Sequence, residues 1–221
     1  MRETVIQKFQ AAHDIPETAL GDLRFRGLLT AEQWAELPLA VRQRFSKRLG
    51  GGRTIVYSGT IEETVMSRAG MALAQAARLI GGPLPTSRDV EVPSVVTVTE
   101  DIATGGQIWT RLYARRTGFP QVINSSKRFA GVTGLEEHVG CGVGMSLRLA
   151  VLADTLVFKS ERYFWQLGRL RFLLPKWLTP GALEVGHRDL GDGRFAFTLD
   201  ITHPWLGRLI HQRAVFQETK S

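Results

Sequence analysis

From Pro85 onward the chain alternates apolar and polar residues with a period of two, whereas upstream of it apolar residues return every three or four positions. The downstream alternation predicts strands over about 91–102, 106–115, 119–130, 140–152, 155–166, 182–190, 193–201 and 209–217. Short turn signals separate them, most clearly Thr104-Gly105-Gly106, Ala153-Asp154 and Gly191-Asp192-Gly193. Strands joined so tightly pair antiparallel, and a meander of about eight can close around one interior and so remove its edges. The predicted fold is mainly β (α+β): an antiparallel meander, barrel-like or strongly curved, with two N-terminal helical segments packed on it. One domain spans 1–221, with a helical part at 1–85 and a barrel-like part at 86–221.

In the first part, Thr30 offers a helix cap and Gln33 completes a capping box. Trp34, Leu37, Val41, Phe45 and Leu49 then form an apolar stripe, which predicts helix to about Leu49, bent or divided at Pro38 and stopped by Gly50-Gly51-Gly52. A short extended segment, Thr54 to Thr60, leads to a second helix over about Met66 to Ile80, ended by Gly81-Gly82-Pro83. At the N-terminus, Val5, Phe9 and Ala12 recur at helical spacing and make 1–14 a candidate short amphipathic helix. The segment 167–181, rich in Leu, Pro and Trp, breaks the strand spacing and reads as an apolar loop or short helix that caps one opening.

The strand patterns carry arginines at positions that compete for the interior. Met145, Leu147, Leu149 and Val151 share one face of their strand, and Ser146, Arg148 and Ala150 share the other. Trp109, Arg111 and Tyr113 alternate onto one face of another strand. If that aromatic face points inward, Arg111 becomes a buried cation that needs an acidic partner or an anionic ligand, and Glu136 and Glu184 are the candidate partners. Arg148, Arg162 and Arg171 raise the same choice, since arginine donors bind carboxylate or phosphate oxygens in pairs.

Composition adds limits. With 43% hydrophobic residues, the 221-residue chain can build an ordinary core without disulfide or metal. Cys141 is the single cysteine, which excludes an intrachain disulfide and reads as a small buried filler in a glycine-rich strand. Lys and Arg exceed Asp and Glu by 28 to 21, and the whole excess lies between Gln107 and Arg188, with twelve cations against five acids. Such a field suits anionic molecules or lipid headgroups. The N-terminus lacks the apolar core of a secretory signal and no apolar run is long enough to span a bilayer, so cytoplasmic residence is expected, with peripheral membrane contact as a candidate.

Catalytic chemistry has one set of candidates. His203, in HPWLGRLIH, could move protons opposite Glu184 or Glu136, while Trp205 packs nearby; in the competing structural role His203 bonds the turn that Pro204 and Gly207 shape. No metal site is expected, because His203 and His211 are eight apart without an HExxH unit. No cofactor is expected either: GCGVG at 140–144 precedes a strand and lacks the GxGxxG spacing, so its glycines serve bulges or close packing. Nucleic acid is not an expected partner, as no recognition signature accompanies the aromatic strands.

Several pieces together carry a family resemblance: LPLAVRQRF at 37–45, Trp109-Thr110-Arg111, Glu136 followed by GCGVGM at 140–145, Leu174-Pro175, Glu184, Phe195-Ala196-Phe197 and HPWLGRL at 203–209. The chain resembles a bacterial family described as domain of unknown function 4166, from about Leu37 to Phe216. Members occur alone or attached to the C-terminal side of dehydrogenase-like Rossmann proteins. The resemblance implies a module that handles a substrate or lipid, or that docks a dehydrogenase-like partner, and it assigns no catalytic residue.

The expected function is binding of a small hydrophobic or lipid-like, anionic molecule in a barrel interior or mouth. Trp109, Arg111, Tyr113, Arg148, Arg171 and Trp205 are the candidate ligand-binding residues. Two alternatives stay open: a cofactor-independent enzyme using His203 with Glu184 or Glu136 for proton transfer or isomerisation, and a noncatalytic docking module for a dehydrogenase-like protein.

Overall fold

The computed structural model of the chain describes residues 21–51 and 53–219. The candidate helix at 1–14 lies outside the described residues. Two short helices come first, α1 (Ala31–Glu36) and α2 (Leu39–Phe45), then strand β1 (Thr54–Met66) and helix α3 (Arg68–Ala76). Ten further strands follow: β2 (Val92–Asp101), β3 (Gly106–Tyr113), β4 (Gln121–Arg128), β5 (Glu136–Gly140), β6 (Val143–Leu152), β7 (Thr155–Leu167), β8 (Leu170–Leu173), β9 (Ala182–Gly191), β10 (Arg194–His203) and β11 (Gly207–Glu218).

The strands run in the order β6-β5-β4-β3-β2-β1-β11-β10-β9-β7, and β6 also pairs with β7, so ten antiparallel strands close into a barrel. Closure rests on β7. Its first half, Leu156–Lys159, pairs with β9, whereas its last residues, Phe164–Leu167, pair with β8 instead. The wall between β7 and β9 therefore parts toward one end, and the strap 168–181 fills the gap. Leu174 N–H donates to the Tyr163 carbonyl at 2.9 Å, and Leu183 N–H donates to Ser160 Oγ at 2.9 Å.

Local chemistry accounts for the elements. Thr30 and Gln33 form the capping box, and Pro38 divides the predicted long helix into α1 and α2. Ala153 and Asp154 both take positive φ, the two-residue turn whose twist matches its flanking strands β6 and β7. β1 is a full barrel strand of 13 residues rather than the short segment expected at Thr54–Thr60, so the barrel begins well before residue 86. Its Gly59 lies where a Cβ would sit 2.0 Å from the Val215 carbonyl of β11, and a register shift between Ile61 and Glu63 bends it. Two more strands were not expected: β5, hidden behind a glycine-rich turn, and β8, inside the apolar strap. Cys141 is exposed in the β5–β6 turn, not a buried filler, because it stands at positive φ between Gly140 and Gly142.

The two barrel ends differ. One, the floor, is sealed by Phe25, which precedes α1, and by Phe45 of α2 through a run of aromatic contacts. Phe25 and Phe45 meet edge to face at 5.3 Å, both reach Phe158, and the chain of rings continues through His187 and Phe195. Arg44 of α2 enters the same layer, with its guanidinium 4.2 Å above the Phe195 ring and Nη1 2.7 Å from His187 Nε2. The other end, the mouth, carries α3, which packs on β11 so closely that a Cβ on Gly70 would lie 2.0 Å from the Leu209 carbonyl.

The outer face is polar and laced with ion pairs, among them Lys159–Glu184, Arg148–Glu161 and Arg213–Glu62, while the inner face is apolar. That is the reverse of a membrane-spanning barrel. Among the described residues no helix is long and apolar enough to cross a membrane.

His187 gives this floor a pH signature. Burial first, and then the adjacent Arg44 cation, hold its pKa well below 6.5, so the folded ring stays neutral and accepts from Arg44. The unfolded chain takes up a proton below about 6.5 that the folded chain refuses, so this contribution is complete above that pH and is lost as pH falls. The loss is at most about 1.4 kcal/mol per pH unit. Denaturant unfolding at about pH 7.5 and about pH 5.5 should show a pH slope that His187→Phe reduces by up to one proton. Equal slopes in the two proteins would contradict the assignment.

Candidate functional site

Above the aromatic floor the barrel encloses a cavity of about 460 Å³. Its side walls are Val96, Ile123, Met145, Val185, Leu199 and Ala214, one inward residue from each of six strands. At the mouth, Leu73 and Ala77 arrive from α3 and the helical turn after it, Pro83 and Leu84 from the following loop, and Leu174 and Leu178 from the strap. This volume falls within the range typical of small-molecule pockets, and a lining so predominantly apolar favours an apolar guest.

A small polar cluster sits deep in this space. Lys127 of β4 pairs across the strands with Glu137 of β5, placing Nζ 3.1 Å from Oε1. Both side chains are almost fully buried, 4% and 7% exposed. From β3, Arg111 reaches down to the same carboxylate, with Nη2 3.5 Å from Glu137 Oε1 and 3.3 Å from Ser125 Oγ. The Lys127 ammonium also lies 4.8 Å from the centre of the Trp109 ring and 5.4 Å from that of Phe158. Trp109 is held in turn by a hydrogen bond from its Nε1 to Gln107 at 3.2 Å.

The charges are unequal. Burial alone would raise the Glu137 pKa, but Lys127, Arg111 and the Ser125 hydroxyl outweigh it and hold the carboxyl at about 2. Glu137 is thus an anion throughout the physiological range. Burial lowers the Lys127 pKa, Glu137 opposes that, and Arg111 reinforces it. With both cations protonated the cavity holds two positive charges against one negative. Across the cavity, Tyr163 donates to Ser160 Oγ at 3.3 Å, and burial pushes its phenol up to about 12, so it remains a neutral donor.

Of the residues picked from sequence, Trp109, Arg111 and Tyr113 line the cavity together. The others stand outside it. Glu136, one residue from Glu137 and therefore on the opposite face, is buried on the outer side, where Arg171 of β8 clamps it with two hydrogen bonds of 2.5 and 3.1 Å and His138 lies 3.2 Å away. Arg148 is exposed and bonds Glu161 at 2.6 Å, and Glu184 pairs with Lys159 at 3.0 Å. His203 ends β10, with Nδ1 accepting the Trp205 N–H at 3.3 Å and the two rings meeting edge to face. Trp205 itself projects from the β10–β11 turn. His203, Glu184 and Glu136 thus have separate partners, share no contact and do not line the cavity. Among the described residues no cluster of His, Cys, Asp and Glu could hold a metal ion.

Lys127, Glu137 and Ser125 are the site residues that periodicity does not single out. Ile123, Ser125 and Lys127 do alternate onto one face of β4, and that face is the available signal. Glu137 needed β5 to be recognised as a strand.

Comparison with solved structures finds remote likenesses. One is Rv2717c from M. tuberculosis, at 16% identity and a TM-score of 0.40, covering 83% of this chain and 99% of that one. Another is a mutant form of the fluorescent protein UnaG, at 9% identity and a TM-score of 0.33, covering 75% of this chain and 95% of that one. No curated protein matches the chain. The family model described as domain of unknown function (DUF4166), by contrast, matches residues 37–216, which takes in α2, α3 and every strand up to the last two residues of β11, and the chain belongs to that family.

Proposed function

We propose that the barrel binds a small apolar molecule with an anionic end, a carboxylate or phosphate, which lies deep against Lys127 and Arg111 while the apolar part extends toward the mouth. The observation that carries this function is the unequal cluster of two cations and one carboxylate inside an otherwise apolar cavity. A buried net charge is costly unless something neutralises it, and an anion entering this space supplies the missing partner. Arg111 still has donors to offer, because among the described residues only its Nη2 is engaged. The walls supply contact area and the anion supplies orientation.

Lys127→Met keeps the side-chain length, leaves Arg111 to neutralise Glu137, and so removes the net charge without unpairing the acid. Titration with cis-parinaric acid, followed by its fluorescence, should show saturable binding to the native protein that weakens roughly ten- to a hundredfold in Lys127→Met. The methyl ester of the same probe should bind both proteins alike. Equal affinity of the two proteins for the acid would refute the assigned orientation.

Binding should also depend on pH in one direction. Anion affinity is full while Lys127 is protonated and falls as pH rises through its lowered pKa, hence starting below the ordinary lysine value of 10.5. The methyl ester should show no such fall. Acid binding that stays constant up to the ordinary lysine range would contradict an anion site that depends on a Lys127 with a lowered pKa.

A further inference from the structure

The exposed large apolar residues are not scattered. At the mouth the strap presents Leu170, Leu173, Trp177 and Leu178, and the adjoining turns add Leu79, Phe119, Trp205 and Leu206. Several are bare: Trp177 is 68% exposed, Trp205 77%, Leu79 86% and Phe119 91%.

Contacts link the segments that carry these residues into one collar. Cys141 Sγ lies 3.8 Å from the Leu79 carbonyl, and Trp165 Nε1 donates to the Cys141 carbonyl at 3.0 Å. Trp165 in turn tilts against Phe172 of the strap, with ring centres 6.2 Å apart. At the strap's far end, Gly181 abuts the backbone of Thr202 and His203, and His203 holds Trp205. On the other side, Phe119 shares a shallow groove with Arg78 and Arg115. Leu178 belongs both to this exposed collar and to the cavity lining, so the collar surrounds the way into the cavity.

Its charge is one-sided. The mouth loops 77–91, 114–120 and 168–181 hold seven Arg or Lys against only Asp89 and Glu91, and both acids face Arg116. Arg169 and Lys176 stand exposed among the strap's Leu and Trp residues, with no carboxylate partner among the described residues. An apolar patch of this extent marks a contact surface. Tryptophans beside arginines and lysines suit the boundary between acyl chains and headgroups, where the rings bury their apolar faces and the cations meet phosphate.

We propose that this collar docks on a bilayer surface containing anionic lipids, with Trp177, Trp205 and the strap leucines entering the headgroup boundary and Arg169 and Lys176 pairing with phosphates. Docked in this way, the mouth faces the membrane and the cavity opens onto it. The proposal goes beyond ligand binding and stands on the surface alone.

The test mixes the full chain with phosphatidylcholine vesicles and with phosphatidylcholine–phosphatidylglycerol vesicles and measures the fraction that sediments. Binding is expected to the anionic vesicles and to weaken with salt. The double variants Trp177→Ala/Trp205→Ala and Arg169→Glu/Lys176→Glu should each lower the partition coefficient about tenfold or more. Lys127→Met should bind vesicles like the native chain, which separates this surface from the cavity. As a measurement that needs no variant, brominated lipids should quench the exposed tryptophans of the native chain but leave the emission of Trp34 and Trp109, both buried. Failure to sediment with anionic vesicles, or absence of quenching, would overturn the proposal. So would a dimer in sedimentation equilibrium that the tryptophan variant dissociates, since the collar would then be covered by a second copy.

Discussion

A positive charge enclosed by apolar walls is the constraint around which this barrel is organised. Lys127 and Arg111 share a single acid, Glu137, in a space lined by aliphatic and aromatic side chains. Isolated ammonium and carboxylate groups would not survive there, and each is tolerated only because it is paired, hydrogen-bonded or set beside an aromatic face. Glu137 is locked ionised by its neighbours. The second positive charge has no second acid among the described residues, and it sets what kind of molecule the space can accept.

Closure of the sheet makes that environment. Ten strands in a ring leave no edge on the barrel, and the bulges in β1 and between β6 and β7 bend the longest strands enough to join the ends. The two ends then take different work. The floor is filled by Phe25, Phe45, Phe158 and Phe195 with Arg44 and His187 among them, so nothing enters there. The mouth is closed by α3, by the loop that follows it and by the strap that replaces β9 beside the end of β7. A sealed aromatic floor with a lightly closed apolar mouth directs a guest to enter from one side.

Much of this was legible in the sequence. Period-two alternation puts Trp109, Arg111 and Tyr113 on one face, and all three line the cavity. The capping box at Thr30, the break at Pro38 and the paired turn residues Ala153-Asp154 act through local chemistry, which a sequence states directly. What stayed hidden depends on partners distant in the chain. Gly59 and the Glu62-Glu63 irregularity look like the end of a short strand until β11 is seen packed against them. β5 has only five residues after a glycine-rich turn, too few to show a period, so Glu136 and Glu137 could not be assigned to faces. Arg171 and Arg148 remain on the outer surface because acids across the strands, Glu136 and Glu161, meet them there.

The most direct test of the central claim is nuclear magnetic resonance of a long-chain fatty acid labelled at its carboxyl carbon and bound to the native protein. The predicted result is a carboxylate that stays ionised to lower pH than in free solution, that a water-soluble paramagnetic agent does not reach, and that shows a through-space contact to the side chain of Lys127. A bound carboxyl that titrates like the free acid and is relaxed by the agent would place the charged end at the mouth and contradict a buried anion site.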